Sequence, residues 1–180
     1  MSRGVHRFTV RDLMMCAAMA ALGIAIKQIV GPLIKIISAP LMIPGGTMAG
    51  GIYMMWLVMA FGLTDRRGAA TLTGLIQAVI VMISGMYGSH GVMSLISYTM
   101  PGVAIDVGLL LAWTKIRGPL SAMAAGMLAN MAGSICTNFI FFRLPLIPLL
   151  LSLSVAAFSG AVGGLLAWLL LKSLRKYGIV

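Results

Sequence analysis

Six apolar stretches, each near the length of a helix that crosses a membrane, follow one another along this chain, separated by short polar or cationic turns. They cover approximately residues 10–30, 46–63, 69–86, 92–113, 119–142 and 148–171. A helix rises about 1.5 Å per residue, so roughly 20 apolar residues cross the hydrocarbon core of a bilayer. The series predicts an all-α integral membrane protein, a single six-helix transmembrane domain over residues 1–180. The second and third runs are slightly short and are expected to stand upright or end below the interface. Turn formers mark the connectors: Thr64 to Gly68, Tyr87 to Gly91, and Lys115 to Pro119.

Composition agrees with this reading and excludes others. The chain is 61% hydrophobic and 9% charged, whereas soluble domains carry about 25% charged residues. Sixteen charges, 13 basic and 3 acidic, are too few to coat a folded chain of 180 residues in water. The net charge of +10 does not indicate a nucleic-acid partner, because the cations lie in small clusters flanking apolar runs rather than in one wet patch. Cys16 and Cys136 fall inside apolar runs without metal-ligand spacing and are expected to be buried free thiols. The first ten residues have no apolar core of a signal peptide, so the amino terminus is expected to be retained.

Orientation follows from the cations. Arg3, Arg7, Arg11, Arg66, Arg67, Lys115, Arg117, Lys172, Arg175 and Lys176 fall on one side of the six runs, and only Lys27, Lys35 and Arg143 on the other. Cytoplasmic segments hold the excess of Lys and Arg, so both termini are expected inside the cell.

The first outer connector, Gly31 to Gly45, is apolar yet contains Pro32, Pro40 and Pro44. It is expected to be a proline-broken loop folded over the outer mouth of the bundle, since irregular backbone at that depth needs protein or a water-filled cavity beside it. Small residues recur four apart at Ala17 and Ala21, Gly46 and Gly50, Ala70, Gly74 and Ala78, Ala122 and Gly126, and Gly160 and Gly164. Each set makes a flat helix face for close packing, inside the bundle or against a partner.

The acidic residues are confined. Asp12 and Asp65 lie at the inner boundary, and Asp106 lies well down the fourth run, where it needs a partner. The outer cations Lys27, Lys35 and Arg143 suit an anionic or neutral ligand, or snorkel to lipid headgroups. Aromatic and polar groups gather in the outer halves, as in a ligand pocket. The candidate substrate-binding residues are Tyr53 and Trp56, one turn apart, with Gln77, Tyr87, His90, Tyr98, Asn130 and Asn138. Ser89, Ser94 and Ser97 lie nearby. Each has a plainer reading: an interfacial belt or core packing for Tyr53 and Trp56, a solvated loop for His90, and interior packing for the amides.

No HExxH, GxSxG or phosphate-loop sequence occurs, so neither enzymatic activity nor a bound cofactor is expected. The 16 methionines are scattered along the helices, and no metal site is expected from them.

Taken together, these residues resemble a known family. Arg11 to Ala21, with its Ala17 and Ala21 face, is similar to the start of the substrate-binding S components of energy-coupling factor (ECF) transporters. Gly50 to Trp56 and the turn from Arg66 to Ala70 look most like the thiamine-precursor branch that contains YkoE. That branch carries an acidic residue just before its aromatic segment, where this chain has Gly50 and Gly51. A thiamine-type cation would therefore lack its counter-ion, and an anionic or neutral vitamin, or a tetrapyrrole using His90, fits better.

The resemblance implies a bacterial cell-membrane protein that captures a vitamin-like molecule at the outer face. It implies docking through Ala17 and Ala21 on a transmembrane coupling subunit driven by two ATPases, with ATP used only by those partners. Two other readings are a self-contained carrier or channel, with Gly160 and Gly164 as an oligomer face, and a membrane scaffold without a small ligand.

Overall fold

The computed structural model describes residues 8–38, 40, 44–85, 93–112 and 114–178. Among them the chain forms six helices and no strand. They are α1 (Val10–Ser38), α2 (Gly45–Thr64), α3 (Ala69–Ser84), α4 (Ser94–Leu111), α5 (Pro119–Thr137) and α6 (Leu146–Lys176), with a π turn at Asn138–Phe142 closing α5. Five are long and apolar enough to cross a membrane. The sixth, α3, has 16 residues and is about 24 Å long, shorter than the hydrocarbon core is thick.

Local chemistry sets the helix ends. Gly118 precedes Pro119 at the first turn of α5, and Ser121 Oγ accepts the Gly118 N–H at 3.2 Å. Asp65 ends α2 in the left-handed conformation and donates its N–H to Phe61 O at 2.8 Å. Thr9 and Asp12 cap α1 reciprocally: Asp12 accepts the Thr9 N–H at 2.9 Å and donates its own N–H to Thr9 Oγ1 at 3.2 Å.

The first outer connector differs from the expected loop. α1 continues through Pro32 to Ser38, so residues 31–38 are helix and not a proline-broken cap. Proline removes one i→i−4 hydrogen bond, which membrane helices tolerate where neighbouring groups re-satisfy the backbone. Pro44 and Gly45 then start α2.

α2 is the central helix. Thirteen of its 20 residues are buried, against six of 29 in α1, and it touches all five other helices. Glycines permit the closest contacts. A Cβ on Gly51 would strike the Ser159 backbone, and one on Gly163 would strike Gly51. Gly126 abuts Gly160 and Gly164, Gly74 abuts Tyr98, and Gly102 abuts Ala70. Gly160 and Gly164 therefore face α5 and are not free to form an oligomer face, which corrects that expectation. Ala17 and Ala21, by contrast, are exposed on α1.

The outer surface is apolar: Ile83 is 82% and Phe158 75% exposed. Side chains of that size and exposure belong against lipid, and the protein is embedded in a membrane. The carboxylates sit together at one end of the bundle. Asp12 pairs with Arg66 at 3.4 Å, Asp65 with Lys115, and Asp106 with the first turn of α3.

Candidate functional site

A cavity of about 520 Å³ opens at the opposite end, within the size range of small-molecule sites. Its wall comes from the second half of α1, the first half of α2, the middle of α3, the start of α4, the end of α5 and the start of α6. Lys27 and Gln28 of α1, with Gly31, Pro32 and Lys35 of its helical extension, reach the cavity along one helix face.

Lys27 is the most elaborated position. Its Nζ donates to Tyr98 Oη at 2.6 Å. The ammonium also lies 4.1 Å from the centre of the Tyr98 ring and 5.4 Å from that of Tyr53, within cation–π range. The same cavity is also lined by a set of neutral hydroxyls. Thr47 Oγ1 and Ser152 Oγ are 3.3 Å apart, and Ser134 Oγ donates to Thr47 Oγ1 at 3.4 Å.

Beneath the hydroxyls lies Asn130, 1% exposed, whose amide donates to Thr47 O at 3.1 Å and Ala156 O at 2.9 Å. It ties the starts of α2 and α6 to α5, and a Cβ on Gly50 would strike it. Asn138 Oδ1 accepts the Leu144 N–H at 2.9 Å and so fixes the turn that follows the π segment. Both amides border the cavity, and each also holds backbone in place.

Five of the eight candidate binding residues border this one cavity: Tyr53, Gln77, Tyr98, Asn130 and Asn138. Trp56 does not border it. It is 9% exposed, belongs to the core cluster, and lies against Gly23, where a Cβ would come within 3.3 Å of its ring. The same absence of a side chain at Gly23 leaves room for Gln77. Tyr87 and His90 lie outside the described residues. Thr47, Ser134, Ser152 and Gln28 join the wall without having been singled out. Ser134 and Asn138 follow Asn130 at four-residue steps, a polar stripe on α5 that could have been read from spacing.

Gly50 and Gly51 have no space for the acidic residue of the thiamine-precursor pattern. At Gly50 the Asn130 amide occupies the position of a side chain, and at Gly51 the α6 backbone does. Among the described residues no group of three His, Cys, Asp or Glu side chains comes together.

The fold has a solved counterpart. A crystal structure of an S-component of an ECF transporter superposes with a TM-score of 0.79, covering 96% of this chain and 88% of that one at 21% identity. No curated protein matches the sequence. The model of a family described as "ABC-type cobalt transport system, permease component" matches residues 11–132, more than half of the chain. By that match, this chain belongs to the family of ABC-type cobalt transport system permease components.

Proposed function

We propose that this chain is the membrane-embedded S component of an ECF-type importer in a bacterial cell membrane. It captures a small organic micronutrient from outside and passes it inward through a transmembrane coupling subunit driven by two partner ATPases. The observation that carries the reading is the polar, aromatic-walled cavity at the cation-poor end of a bundle otherwise coated with apolar side chains. The excess of Lys and Arg at the other end supports a reading in which the cavity faces outside and both termini are cytoplasmic.

The exposed Ala17 and Ala21 face supports partner docking. Other small-residue faces, such as Gly126, Gly160 and Gly164, are filled by neighbouring helices.

The family description names cobalt. Bare divalent cobalt favours imidazole, thiolate or carboxylate ligands, and the described cavity wall offers two lysines, amides and hydroxyls instead. We therefore take the cargo to be organic. The likeness to the YkoE-like branch enters this reading as architecture, not as a thiamine-type substrate.

The test is co-purification with a coupling subunit and ATPases from the native membrane, and its loss in Ala17→Trp at unchanged thermal stability. Transport by the purified chain alone, without ATP, would overturn the reading in favour of a self-contained carrier.

A further inference from the structure

We propose that Gln77 selects the molecule bound in this cavity, and that this molecule carries a hydrogen-bond donor and an acceptor side by side, as an amide, a cyclic urea or an amino-substituted nitrogen ring does. This rests on the substrate-binding reading above and narrows it to one recognition chemistry.

Three buried carboxamides border the cavity: Asn130, 1% exposed, and Asn138 and Gln77, each 6% exposed. Two of them hold the fold together. Asn130 donates to Thr47 O and Ala156 O, and Asn138 accepts the Leu144 N–H. Gln77 has no such duty. Among the described residues its carboxamide has no hydrogen-bond partner. It is also the one polar side chain in the run from Leu75 to Ile83. Buried polar groups are costly without partners, and in native proteins nearly all have them. A carboxamide that the fold leaves unused at a cavity wall is therefore best explained by what enters the cavity.

The position of Gln77 is fixed by its surroundings. Asp106 caps the start of α3 through Gly68 and Thr71, and Gly74, one turn before Gln77, packs on the Tyr98 backbone. The Gln77 amide end lies over Gly23 of α1, itself a wall residue, where a Cβ would strike Nε2 and come within 3.3 Å of Trp56 Cδ1. Trp56 shares this recess, and its buried Nε1 has no hydrogen-bond partner, so the indole does not satisfy the amide either.

A carboxamide sets N–H donors beside a carbonyl acceptor in one plane. It makes two hydrogen bonds at once with a molecule that presents the complement, as it does with the edge of adenine. A half-turn about its last side-chain bond exchanges the order of the two groups. A molecule offering only acceptors, or only donors, leaves half of the amide unpaired in an apolar recess. The Thr47, Ser134 and Ser152 hydroxyls elsewhere on the wall each donate or accept as required, so they impose no such pattern.

Wild-type protein and its Gln77→Met and Gly23→Ala variants are purified from native membranes in mild detergent. The small molecules released on denaturation are identified by mass spectrometry. Gln77→Met keeps the length of the side chain and removes both hydrogen-bonding groups, whereas Gly23→Ala keeps Gln77 and displaces its amide. The expected result is a molecule with adjacent donor and acceptor in wild type, retained about 10- to 100-fold less by Gln77→Met and also less by Gly23→Ala. Melting curves identify a variant that has failed to fold. The other variant then carries the test, and the structure of the wild-type molecule decides without either. A retained molecule lacking such an edge, a phospholipid alone, no retained molecule, or equal retention by Gln77→Met would each overturn the proposal. Co-purifying partners are scored in the same preparations. A complete importer holding a molecule without that edge sinks the role of Gln77 and leaves the S-component reading standing, whereas absence of partners sinks that reading.

Discussion

The Asp106 carboxylate on α4 accepts both the backbone N–H and the hydroxyl of Thr71 on α3, at 2.8 and 2.6 Å, and so caps α3 from a neighbouring helix. Its other oxygen accepts the Gly68 N–H at 2.9 Å. A carboxylate at a helix N-terminus meets free N–H groups and the positive end of the helix dipole. That combination accounts for an acid inside an otherwise apolar segment. Asp106→Asn is expected to cost about 2 kcal/mol, since one charge-assisted acceptor pair is lost. The check is a lowered melting temperature in detergent, compared with Asp65→Asn, whose half-exposed ion pair contributes little.

Gly50→Ala is expected to disrupt the bundle. The added methyl would occupy the space of the Asn130 amide and drive it off Thr47 O and Ala156 O. Overpacking and the two lost hydrogen bonds together cost about 2–4 kcal/mol. Gly46→Ala, with nothing within 4 Å of the new methyl, is expected to leave expression and melting unchanged.

On α1, two alanines three residues apart separate docking from folding. Ala17 is exposed, whereas Ala20 is fully buried. Ala17→Trp is expected to keep the wild-type melting temperature and lose the coupling subunit. Ala20→Trp is expected to destabilise the chain itself. Loss of monomer stability in Ala17→Trp would count against a docking role.

Tyr98→Phe removes the hydroxyl that takes the Lys27 proton donor and leaves the ring in place. Ligand retention is expected to fall by about three- to tenfold, the worth of roughly one hydrogen bond. Tyr53→Phe, which keeps the more distant ring contact, is the comparison. Equal effects from the two would remove Tyr98 as the group that orients Lys27.

Spacing and charge made most of the helices legible. The turns at Asp65–Gly68 and Gly118–Pro119 contain their own stop and start signals, so the bounds of α2 and α3 and the start of α5 fall within about three residues of expectation. α1 did not, because Pro32 reads locally as a breaker while the helix runs on to Ser38. The cavity was legible in part for the same reason. Tyr53, Gln77 and Tyr98 announce themselves as polar or aromatic groups in outer half-helices. Trp56 lies in the core because Gly23, on another helix, leaves a recess for it. The structural duties of Asn130 were hidden because its partners, Thr47 and Ala156, lie 83 and 26 residues away.

Native mass spectrometry of the chain, drawn gently from its own membranes, tests the central claim most directly. The account predicts one copy of this protein with a transmembrane coupling subunit, two ATPase subunits and a small bound molecule. A particle containing only copies of this chain, with neither partners nor ligand, would contradict it.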